Sequence, residues 1–101
     1  MKDEKDIEKM KIQEAFFKML GSKAAVRILQ YLGTEERVKY KDLQQFVNTH
    51  TLNARIKDLL NHGLIEHHLT REEIRQEWYE LTEKGKNVIE LLNKLIKTME
   101  Y

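Results

Sequence analysis

The chain has no cysteine, no proline and one serine, Ser22, in 101 residues. Without cysteine there can be no disulfide framework, thiolate metal site or thiol redox sensor, which fits a reducing, cytoplasmic setting. An enzyme needs a nucleophile, an acid–base pair or a metal. A single serine placed where a helix cap uses its hydroxyl supplies none of these, so no catalytic residue and no cofactor are expected. Glycine is scarce too: Gly21, Gly33, Gly63 and Gly85 stand far apart, which excludes a phosphate-cradling loop. No apolar run approaches the roughly 18 residues a membrane helix needs, and the opening MKDEKDIEKMK is charged where a signal peptide would be apolar, so no membrane partner is expected. The length suits one domain, expected over residues 1–101.

What the chain does have is charge, 35% of its residues, nearly balanced at 18 Lys+Arg against 17 Asp+Glu. The distribution is uneven. Residues 37–71 carry six basic and three acidic side chains and all four histidines, whereas residues 72–101 carry five basic and seven acidic. Local potential, more than the whole-chain sum, governs association with polyanions, so the middle third is the candidate for phosphate contact.

Apolar periodicity divides the chain into helices with a hairpin between the last two. Residues 4–20 predict a helix with two apolar stripes, Ile12, Phe16, Met19 and Leu20 on one side and Ile7, Met10 and Phe17 nearly opposite. Ser22 caps a second helix whose Ala24, Ala25, Ile28, Leu29 and Leu32 face a core until Gly33. A short helix is expected from Tyr40 to Phe46, then a three-residue turn, Phe46-Val47-Asn48. Asn48 as N-cap, with Val47 and Leu52 as hydrophobic staple, starts the next helix, which Gly63 ends. Beyond it the period falls to two: Ile65 to Thr70 and about Glu77 to Thr82 read as strands, the second favoured by Trp78, Tyr79 and Leu81. Of that aromatic pair, Tyr79 is expected in the core and Trp78 half exposed. A last helix is predicted from Thr82 to about Met99, with Gly85 permitting close approach to the sheet. The fold class is mainly α, a winged helix-turn-helix with a two- or three-stranded wing, residues 21–82, between an N-terminal helix, 1–20, and a C-terminal helix, 83–101.

Two strings, Thr51-Leu52-Asn53-Ala54-Arg55-Ile56-Lys57-Asp58-Leu59 with His62-Gly63-Leu64-Ile65, and Trp78-Tyr79-Glu80-Leu81-Thr82-Glu83-Lys84-Gly85, carry a family likeness. The first resembles the recognition helix, and the second the passage from last strand to last helix, of winged helix-turn-helix transcription regulators of the MarR and HxlR kind, common in archaea and bacteria. The resemblance covers about residues 20–97. It implies a double-stranded DNA-binding homodimer whose recognition helix enters the major groove. The family's N-terminal sensing cysteine is absent, so thiol sensing does not carry over.

In that helix the inward stripe leaves His50, Thr51, Ala54, Lys57, Asp58 and Asn61 outward, with Asn53 and Arg55 on the flanks. Asn53 has the chemistry to grip adenine, His50 and Lys57 to donate to guanine, and Thr51 to touch a thymine methyl; Arg55 suits a phosphate. Lys39 and Lys41, with Arg37, precede the short helix as further phosphate candidates. Arg71 and Arg75 are those of the wing, although its tip, residues 71–77, has two arginines against three glutamates. His67 and His68 are adjacent on a strand, point to opposite faces and cannot chelate one metal together, so no metal site is expected. The last helix shows an apolar arc of roughly 160°, wider than one domain needs. Val88, Leu91, Leu92, Leu95, Ile96 and Met99, with Ile7, Met10 and Phe17, are therefore the expected dimer interface. The alternative is a winged-helix module that uses the same surface for protein contact within a transcription or other assembly. The operator sequence and any small-molecule effector are not legible.

Overall fold

The computed structural model describes residues 3–100. In chain order the elements are α1 (Glu4–Leu20), α2 (Lys23–Thr34), α3 (Tyr40–Leu43), α4 (Thr49–Asn61), β1 (Ile65–Thr70), β2 (Gln76–Leu81) and α5 (Glu83–Met99). Each long helix begins on a side chain that accepts an otherwise orphaned amide: Asp3 from Asp6 at 2.9 Å, Ser22 from Ala25 at 3.3 Å, Asn48 from Thr51 at 2.9 Å and Thr82 from Gly85 at 3.0 Å. These bonds fix the helix starts locally. Helix α4 ends in a Schellman motif, with Leu64 N–H donating to the Leu59 carbonyl and Gly63 N–H to that of Leu60, both at 3.0 Å. Gly63 takes the left-handed φ of 71° that this closure requires.

Helices α2 and α4, with the last turn of α1, α3 and α5, enclose one core. Ala25, Ile28, Leu29, Leu43, Leu52, Leu59 and Leu64 are completely buried, joined by Met19, Val38, Ile56, Ile65 and Ile89. Helix α2 supplies the largest share of this core, as its periodicity predicts. The wing is a two-stranded antiparallel hairpin, pairing Ile65 with Leu81 through Thr70 with Gln76. A third strand is reduced to one bridge, in which Val38 and Tyr79 exchange both backbone hydrogen bonds at 3.1 and 2.8 Å.

Two expectations are corrected. Helix α3 is a single turn ending at Leu43, so the connection to α4 spans residues 44–48. After Leu43 the backbone tightens into i→i+3 bonds, and Phe46 lies edge-on against Tyr31 of α2 at 5.2 Å. Helix α2 runs one residue past Gly33, which makes room for Ile89 of α5 rather than stopping the helix. Ile12, on the same apolar stripe as Phe16, Met19 and Leu20, does not share their packing and is 66% exposed, because only the last turn of α1 reaches the core. Gly85 behaves as expected: it is buried under the strand, and a Cβ there would collide with the Leu64 carbonyl oxygen.

Candidate nucleic-acid interface

Helix α4 is held to the core by Leu52, Ile56 and Leu59. On its opposite side His50, Lys57 and Asn61 are exposed, with partly covered Ala54 between them. The small Ala54 leaves this face without a protruding apolar side chain, a surface on which another molecule can lie close. Thr51, also partly covered, sits at the helix start beside its Asn48 cap.

The two flanks of α4 are occupied differently. On the side of α3, the Tyr40 hydroxyl donates to Asn53 Oδ1 at 2.6 Å, thirteen residues away in sequence. That bond ties the two helices together and orients the Asn53 amide, leaving its NH2 group to donate outward. No local pattern marks Tyr40 as this partner. On the side of α1, Arg55 lines a cleft with Lys18, Met19, Asp58 and His62. Its guanidinium pairs with Asp58 at 3.4 Å, and its Nε is buried without a hydrogen-bond partner. The expected phosphate contact at Arg55 is thus turned along the helix flank and partly neutralised.

A cleft between α3 and the wing brings together Lys39, Lys41, Arg75, Tyr40, His67 and Tyr79. Lys39 and Lys41 are exposed, and the Lys39 amide donates to the Asp42 carboxylate at 3.1 Å. Arg75 is paired with Glu77 at 3.3 Å, and Glu77 also meets His67 Nε2 at 3.1 Å. Arg71 is exposed and, among the described residues, has no ion pair. Of the two wing arginines, Arg71 is therefore the one with an unshared charge. Tyr79 closes the cleft's inner end, and burial, followed by the charge of Glu77 and by Tyr40, raises its phenol above the ordinary value of 10.0. Both Tyr79 and Trp78 are half-buried, but Tyr79 packs against the core cluster and Trp78 does not, which is the expected contrast between them.

The expected dimer residues separate into two groups. Val88 and Leu92 are half-buried and pack against the chain's own core. Leu91, Leu95, Ile96 and Met99 on α5 are exposed, Leu95 at 64% and Met99 at 78%. On α1, Ile7, Met10 and Phe17 are exposed as well, Phe17 at 65%. So many large apolar side chains on two helices form surface that a monomer leaves in water. No helix among the described residues is long and apolar enough to cross a membrane.

The model of the HxlR-like helix-turn-helix family matches residues 19–101. An uncharacterized HTH-type transcriptional regulator of Bacillus subtilis, YdzF, is 28% identical over 82 residues, covering 78% of this chain and 75% of its own. A solved structure of a possible HxlR family transcriptional factor from Thermoplasma volcanium is 32% identical, covers 82% of this chain and 76% of that one, and superposes with a TM-score of 0.67. The homodimeric winged helix-turn-helix DNA-binding domain Mb0332 from Mycobacterium bovis, 19% identical over 100% of this chain and 93% of that chain, shares the fold with a TM-score of 0.73. With the helix-turn-helix, the wing and this match over most of its length, the chain belongs to the HxlR-like helix-turn-helix family of DNA-binding transcription regulators.

Proposed function

We propose that the protein binds specific double-stranded DNA sites as a homodimer in the cytoplasm and regulates transcription by doing so. The observation that carries this reading is the two-sidedness of α4, whose buried face anchors it while His50, Ala54, Lys57 and Asn61 stand clear on the other side. In the major groove Asn53 would present its amide to adenine, His50 and Lys57 would donate to guanine, and Thr51 would touch a thymine methyl. Lys39 and Lys41, in the cleft between α3 and the wing, and Arg71, at the end of β1, would serve as phosphate contacts, while Arg55 is paired with Asp58 on the flank of α4 that faces α1. The exposed faces of α1 and α5 would pair two copies and hold two recognition helices roughly 34 Å apart on a pseudo-palindromic site; the similar Mycobacterium bovis domain is homodimeric.

Mobility of random duplex DNA at increasing salt, followed by selection of bound fragments, tests the proposal. A dimer displacing about six to eight counterions should give a log–log slope of about −5 to −7. Lys41→Ala should flatten that slope by about 2, one phosphate per protomer, whereas Asn53→Ala should cost about 1–3 kcal/mol on the selected site and little on random sequence. A wild-type protein that fails to shift duplex DNA at low salt would refute the reading and assign the same face to protein contact.

A further inference from the structure

The hairpin face opposite Tyr79 carries Glu66 and His68 from β1, with Trp78 and Glu80 as their cross-strand partners. Glu66 and Glu80 are directly opposed, an arrangement in which like charges destabilise a two-stranded sheet. Among the described residues no lysine or arginine pairs with either carboxylate. Both converge instead on one atom: His68 Nε2 lies 3.0 Å from Glu66 Oε1 and 3.1 Å from Glu80 Oε2. An imidazole nitrogen carries at most one proton, so it cannot give a full hydrogen bond to both.

We propose that Glu66, His68 and Glu80 form a binding site for a divalent transition-metal ion of the zinc type. Their ligand atoms all lie within 4.8 Å of one another. Tetrahedral zinc holds nitrogen and oxygen donors at about 2.0–2.2 Å, which sets them roughly 3.3 Å apart. The observed 3.0 and 3.1 Å from His68 need a small opening to admit the ion, and the two carboxylate oxygens, within 4.8 Å of each other, would settle to the same spacing by side-chain rotation. One imidazole and two carboxylates are a donor set suited to such a metal, with a fourth position left for water. The ion's two charges would offset the opposed pair of carboxylates, which one shared proton cannot.

The surroundings hold the ligands in place. Trp78 Nε1–H donates to Glu80 Oε2 at 2.8 Å, and the indole stacks on the His68 ring at 5.3 Å with an 8° interplanar angle. Arg37 in turn places its guanidinium over the indole, 4.7 Å from its centroid. Partners that orient a metal's ligands in this way are a recurrent part of metal sites. His67 points to the other face and takes no part, so the site differs from the adjacent-histidine pair that strand geometry excludes. Its formation depends on the β1–β2 register and is independent of DNA binding.

The test is titration of zinc chloride into the tag-free full chain, followed by calorimetry and by emission of Trp78, the only tryptophan. One ion per chain should bind saturably, change the emission and raise the Tm. His68→Gln and Glu66→Gln should each weaken binding at least about tenfold, while His67→Gln leaves it unchanged. Both positions are partly exposed, so each variant should unfold in the same cooperative transition as wild type without zinc. Binding that does not saturate, that survives both substitutions, or that falls equally in His67→Gln would overturn the proposal.

Discussion

Leu95 provides a direct measure of the proposed two-fold interface. It is 64% exposed on α5, so replacing it should spare the folded monomer and act only on association. Complete burial of a leucine side chain stabilises by about 1.5–3 kcal/mol. Scaling by the exposed fraction gives about 1–2 kcal/mol per copy and about 2–4 kcal/mol for the two copies in a dimer. Leu95→Ala should therefore raise the dimer dissociation constant between about 20-fold and about 1,000-fold, at 1.4 kcal/mol per factor of ten. Leu95→Glu should go further, since it places an unpaired carboxylate in the interface. Leu92 is unsuitable for this purpose because it packs against the chain's own core, and its substitution would confound dissociation with unfolding. Sedimentation velocity over a concentration series reads the constant, and thermal unfolding verifies that the monomer keeps its fold. A Leu95→Glu protein that dimerises like wild type, or a wild type that remains monomeric at tens of micromolar, would refute the proposed interface.

Gly85→Ala should destabilise by about 1–3 kcal/mol or more in urea unfolding, because the new methyl meets the Leu64 carbonyl, which cannot withdraw without distorting the start of β1. Tyr79 gives a pH dependence. Its folded pKa is raised, so the folded state retains the phenolic proton where the unfolded chain has released it. The associated stability is complete below about pH 10 and is lost as pH rises through the folded pKa; Tyr79→Phe should remove that decline from unfolding curves measured between neutral and strongly alkaline pH. Replacing Glu72 and Glu73 with lysine should strengthen binding to random duplex, since each protomer loses two repulsive charges and gains two attractive ones. An unchanged affinity would place the wing tip away from the DNA.

Most helix starts and the change from helix to strand were legible in the residues themselves. Ser22 and Asn48 precede helices because a cap acts over three residues, and Gly63 ends one because only a left-handed residue closes that turn. The inward stripe of α4 and the switch to period two at Ile65 were legible for the same reason: each depends on spacing along one segment. They were enough to identify the winged helix and to mark the exposed side of α4. Tertiary structure decided which side chains meet across distance. The Tyr40 bond to Asn53, the placement of Arg55 in a cleft beside Lys18 and Met19 of α1, and the short α3 all follow from how α1 to α4 pack. The same holds for the division of the α5 apolar arc, where Val88 and Leu92 satisfy the chain's own core and Leu95 and Met99 do not. Helical projection gives the width of an arc and not where a neighbouring surface stops. Likewise, alternation along β1 separates His67 from His68, but only the register of β2 brings Glu80 beside His68 and Glu66. A one-residue slip would carry Glu80 to the opposite face, so that convergence is a property of the closed hairpin and of neither strand alone.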